Sequence, residues 1–160
     1  MNTREFLHAR LQAEHRAFTR VLEALPADRL DYKPHERCPD ARSLVFTVAA
    51  EMACCVDLAR KGRYDWETTP PPPLPEMIAL FERSHRELVE RVGAMDDAAW
   101  ERPVQLYFGG QLALEKPLGE FVWFILFDII HHRGQLSAYL RPMGGKVPAI
   151  YGPSADDPGQ

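Results

Sequence analysis

At 160 residues the chain is long enough to bury a real core, and its length predicts a single domain over 1–160. Its 19 Lys and Arg against 23 Asp and Glu give a formal net charge of -4 at pH 7, which leaves no reason to expect the clustered basic face of a nucleic-acid binder. Met1 to Arg10 holds no uninterrupted apolar run, and the most apolar stretch, Phe121 to Ile130, is too short for a bilayer and is broken by Asp128; a cytoplasmic protein without a membrane partner is expected.

Asn2 and Glu5 have the spacing of an N-cap and its reciprocal partner. Phe6, Leu7, Leu11, Phe18, Val21, Leu22 and Leu25 then recur at helical spacing up to Pro26, predicting a first helix over about 3–25. Tyr32 to Pro39 reads as a loop, after which Asp40 caps a second helix over about 41–61. Cys38, Cys54 and Cys55 lack metal-finger spacing, and adjacent cysteines in a helix do not readily pair, so reduced thiols are expected. Thr68 to Pro75 holds five prolines and reads as an extended, semi-rigid strap. Pro70 to Pro73 within it need no Pro-recognising partner to explain them.

Ile78, Phe81, Leu88, Val92 and Met95 predict a third helix over about 76–94, with Asp96 to Trp100 as an extra turn. Val104 to Leu114, with Gly109-Gly110 between β-prone residues, reads as a loop or a small hairpin. The fourth helix is expected over about 117–141, and a short non-helical tail over 143–160. Four helices joined by three connections predict an all-α fold, a four-helix bundle. Phe121, Val122, Trp123 and Phe124 in succession carry more apolar surface than one such chain covers, which predicts a homodimer.

The segment Trp123 to Arg141 is apolar on every side of its helix yet carries Asp128, His131 and His132. Burying a carboxylate there costs several kcal/mol unless a cation or hydrogen-bond donors compensate it. Asp128 and His132 leave one face a turn apart, the arrangement two ligands of one metal ion require when a single helix supplies both.

The run His131-His132-Arg133-Gly134-Gln135-Leu136, then Tyr139-Leu140-Arg141, Gly144-Gly145-Lys146-Val147-Pro148 and Ile150-Tyr151-Gly152-Pro153-Ser154, resembles the C-terminal half of DinB-like proteins. Tyr32-Lys33-Pro34-His35, followed by Ser43-Leu44 and an apolar helix, is similar to that family's second-helix region. The resemblance implies a four-helix bundle, commonly homodimeric, with a divalent metal held by three side chains at one end. It also implies kinship with thiol-dependent transferases or isomerases, although many relatives have no assigned reaction. The family pattern has a histidine on helix two, where this chain aligns Thr47, and a helix-four pair whose first member here is Asp128. A three-histidine site is excluded.

Glu51, four residues after Thr47 on the same helical face, offers the missing third ligand. Glu51, Asp128 and His132 would give two hard oxygens and one imidazole, suiting Zn, Ni, Mn or Fe better than copper(I). The plainer alternative is a buried polar network in which these carboxylates bond His132, His131 or Arg133 without metal. His131 points about 100° away from His132 and is expected at a helix or dimer contact. Arg133 is expected to anchor Glu51 or Glu120, and Tyr151 to cover the site. His8, His15 and His85 read as solvated; Cys54 and Cys55 as packing residues; Trp66, Trp100 and Trp123 as core or lid. Two functional readings follow: a DinB-like metal-dependent small-molecule transferase or hydrolase, with a low-molecular-weight thiol as a candidate co-substrate, or a metal-free dimeric binding or stress-response module. Neither the catalytic residues nor the substrate can be read from the sequence.

Overall fold

Asn2 accepts the Glu5 backbone N–H at 2.8 Å while the Glu5 carboxylate accepts that of Asn2 at 2.9 Å, and this reciprocal cap starts α1, Thr3–Glu23. The computed structural model describes residues 1–159; Gln160, the last residue of the expected tail, lies outside the described residues. Asp40 accepts the Ser43 N–H at 2.7 Å and starts α2, Ala41–Lys61. α3 spans Leu74–Ala94 and opens inside the proline strap, because Pro75 in a first turn forfeits no helical hydrogen bond. A short α4, Asp97–Glu101, follows, and α5 runs Leu118–Leu140.

The expectation of a purely all-α four-helix bundle is overturned. Among the described residues there are five helices and a three-stranded mixed sheet of β1 (Arg63–Trp66), β2 (Pro103–Phe108) and β3 (Gln111–Pro117). β1 runs parallel to β2, with Arg63 opposite Gln105, and β2 pairs antiparallel with β3. The hairpin turn is Gly109-Gly110, both at positive φ (56° and 78°), the backbone that a two-residue hairpin loop demands and that side chains resist. Four-residue β1 is held by rings: Trp66 lies 6.3 Å from Phe108, and the Arg63 guanidinium sits 3.8 Å from the centre of Tyr107.

The helices meet through one apolar core. α2 packs on α3 and α5, and α1 on the same two helices. Leu7, Leu11, Phe18 and Val21 from α1 meet Phe81, Leu88 and Val92 of α3 and Phe121, Ile129 and Leu136 of α5, all buried. Trp100 of α4 packs against α5 at Gly119, where an added Cβ would come within 2.2 Å of the indole. The segment after α5 folds back along α1: Arg20 donates to the Ala149 carbonyl at 3.1 Å and pairs with Asp157. Among the described residues no helix is long and apolar enough to cross a membrane.

Candidate metal centre

α5 is buried along Phe121, Val122, Ile125, Leu126, Ile129 and Leu136, which fixes its rotation and turns Asp128 and His132 toward α2. On α2 the same logic applies to Glu51, which lies among buried Val48, Met52 and Cys55 and is itself 8% exposed. The fold thereby brings all three residues together, with ligand atoms within 4.8 Å of one another. They stand near the middle of both helices.

Within this cluster His132 Nε2 is 3.5 Å from Asp128 Oδ2, while its Nδ1 is 2.8 Å from Gln135 Oε1. Glu51 Oε2 is buried with no hydrogen-bond partner among the described residues. Burial first, then the hydrogen bond to Asp128 and that carboxylate's charge, push the Glu51 carboxyl up to about 9. Two acidic groups thus face each other beside an imidazole, and among the described residues no Lys or Arg ion pair reaches Glu51 or Asp128. A divalent cation at this point would satisfy the orphaned oxygen and offset the repulsion that raises Glu51. The donor set, two carboxylates and one imidazole, fits such an ion.

Thr47, one turn before Glu51, gives its hydroxyl to the Ser43 carbonyl at 3.0 Å. Cys54 and Cys55 are buried free thiols; burial, then the charge of Glu51, pushes Cys54 up to about 12, so it is not a thiolate at neutral pH. His131 is exposed, its ring 5.4 Å from that of His132.

Arg133 does not anchor Glu51 or Glu120. One residue past His132, it leaves α5 about 100° around the helix and donates to Glu14 of α1 at 2.6 Å and to the Tyr151 hydroxyl, which donates to Glu14 at 2.7 Å. Its guanidinium also lies 4.7 Å from the Phe18 ring centre. Tyr151 is therefore committed to this cluster rather than covering the triad. Glu14 went unnoticed in the sequence, although it fills a position of the stripe Leu7, Leu11, Phe18 and Val21. His85 is likewise buried rather than solvated: it donates from Nε2 to the Leu11 carbonyl at 2.9 Å and stacks at 4.5 Å on His15, which pairs with Glu82 at 2.7 Å. Its place in the stripe Met77, Phe81, Leu88 and Val92 was the available signal.

Comparison with known proteins agrees with this architecture. The sequence profile of the DinB family matches residues 1–159. The crystal structure of a DinB-like protein from Bacillus subtilis superposes with a TM-score of 0.65 at 16% identity, covering 87% of this chain and 92% of that one. A mutant of the mycothiol-dependent maleylpyruvate isomerase superposes with a TM-score of 0.52 at 16% identity, over 92% of this chain; the matched part spans 65% of the isomerase. At such identities the likeness is one of fold. No curated protein matches the sequence.

Proposed function

The chain belongs to the DinB family, and from that premise we propose that it is a metal-dependent enzyme acting on a small molecule, with a divalent ion held by Glu51, Asp128 and His132. The carrying observation is the buried Glu51 Oε2 without a partner, within 4.8 Å of ligand atoms from two residues of another helix. Zn, Ni, Mn or Fe suits two hard oxygens and one imidazole. When bound, such an ion supplies Lewis acidity, lowering the pKa of a water or thiol at its open positions. The chain's own part is to fix the donors on two packed helices and to shed the Glu51 proton, which makes metal uptake pH-dependent. Transferase or hydrolase chemistry is the proposed class. A low-molecular-weight thiol is the proposed co-substrate, supported by the thiol-dependent isomerase among the structural neighbours.

Elemental analysis of the purified protein, with melting curves in added Zn or Ni, tests the reading. Wild type should carry about one ion per chain and melt higher with metal, while Asp128→Ala should stay folded, lose the ion and respond far less. Wild type without stoichiometric metal, melting at one temperature whatever ion is added, would sink the metalloenzyme reading.

A second reading, a metal-free dimeric binding or stress-response module, draws on a different surface. Phe6, Phe124 and Phe127 are 49%, 51% and 63% exposed, and Trp123 is stacked between Phe6 and Phe127. Beside them a cleft of about 460 Å³ is lined by Trp100, Trp123, Phe124 and Phe127. A homodimer covering this face is proposed under either reading.

A further inference from the structure

A neutral imidazole carries one proton, and its position decides whether His132 can serve a cation. If the proton sits on Nε2, that nitrogen donates to the Asp128 carboxylate and presents no lone pair to the space shared with Glu51. With the proton on Nδ1, Nε2 is free to bind. The geometry favours the second state. Nδ1 lies 2.8 Å from Gln135 Oε1, a full hydrogen bond, whereas Nε2 lies 3.5 Å from Asp128 Oδ2, too long for a good one. Gln135 stands one turn beyond His132 on α5 and is half-buried, so both side chains are carried by one rigid helix.

We propose that Gln135 is a positioning residue that accepts the Nδ1 proton of His132 and so holds Nε2 unprotonated toward Glu51 and Asp128. The inference rests on the metal reading given above and deepens it. Partners of this kind fix ring orientation and tautomer at histidine metal ligands, and their removal typically weakens metal affinity 10- to 100-fold. Gln135 suits the task because its amide is neutral: it adds no third negative charge to a cluster that already holds two carboxyl groups.

The test reads the ring directly. Imidazole nitrogen NMR of the metal-free full-length protein, at a pH where His132 is neutral and with its signals assigned by their absence in His132→Asn, reports which nitrogen bears the proton. Wild type should show Nδ1–H; Gln135→Leu should shift the ring toward Nε2–H and bind Zn or Co about 10- to 100-fold more weakly. Gln135→Glu, which keeps an acceptor, should restore the Nδ1–H form. A wild-type ring protonated on Nε2, or a Gln135→Leu ring unchanged from wild type, overturns the proposal. Should Gln135→Leu fail to fold, the wild-type spectrum and Gln135→Glu still decide it. The expected tautomers in a protein that takes up no metal would uphold the orienting contact and refute the metal reading, so the two failures are distinct.

Discussion

His132 and Arg133 are neighbours in sequence, yet they serve two polar clusters of different character, one between α5 and α2 and the other between α5 and α1. Arg133 enters a closed set: its guanidinium meets Glu14 and the Tyr151 hydroxyl, and Tyr151 returns a hydrogen bond to Glu14. His132 enters an open one, in which Glu51 and Asp128 face each other and one carboxylate oxygen has no partner. The contrast separates two uses of buried charge. A cluster whose charges cancel holds the fold together, whereas the two carboxyl groups and unpartnered oxygen of the other are what the proposed metal ion would complete.

The largest effect should come from breaking the closed cluster. The side chains of Arg133 and Glu14 are 3% and 8% exposed, so Arg133→Ala leaves a buried carboxylate uncompensated and should cost about 3–5 kcal/mol in urea denaturation. The loss should be the same with or without divalent ions. A loss that added Zn repairs would erase the distinction between the clusters.

The open cluster should instead declare itself through pH. The Glu51 carboxyl is raised from 4.5 to about 9, so between those values the metal-free folded state keeps a proton that the unfolded chain has released. The sign follows: the group's contribution is fully present below about pH 4.5 and is lost as pH rises toward 9, with a slope of at most about 1.4 kcal/mol per pH unit. Glu51→Gln should flatten this limb, and a saturating divalent ion should reverse it. Metal-free stability that rises over pH 5–9, or falls equally in Glu51→Gln, would remove Glu51 as the source of the imbalance.

The smallest effect concerns the thiols beside the open cluster. With Cys54 pushed up to about 12 and Cys55 fully buried, thiol reagents should label both slowly in the native protein and quickly after denaturation. Rapid native labelling of Cys54 would show that the triad's neighbourhood is far more accessible than its packing implies.

What the sequence made legible follows from the range over which its signals act. Helical spacing such as Leu7, Leu11, Phe18 is a local pattern, and Asp128 with His132 is local too, because one turn of one helix brings the pair together. Glu51 needed the family alignment that set Thr47 one turn before it. β1 was not legible: four residues are too few for an alternation to register, and their partners Gln105 to Phe108 lie some forty residues away. The hairpin half of the sheet was readable because Gly109-Gly110 announces itself locally. His85 was misjudged because polar identity was weighed above position, and Glu14 was passed over, although both occupy apolar-stripe positions where burial is set by the neighbours on the helix.

The sheet bridges the C-terminal end of α2 and the N-terminal end of α5, beside the direct packing of those two helices. α2 ends at Lys61 and β1 begins at Arg63; β3 ends at Pro117 and α5 begins at Leu118. Beside the direct approach of Glu51 to Asp128, a second hydrogen-bonded path between their helices therefore runs down α2, across β1, β2 and β3, and up α5. Strand rise is about 3.3 Å per residue, so a one-residue slip at the hairpin would displace the start of α5 by a distance comparable to the 4.8 Å that encloses the three ligand atoms. Inserting a residue into the Gly109-Gly110 turn, far from any ligand, thus sets the register of the sheet against the direct packing of α2 on α5.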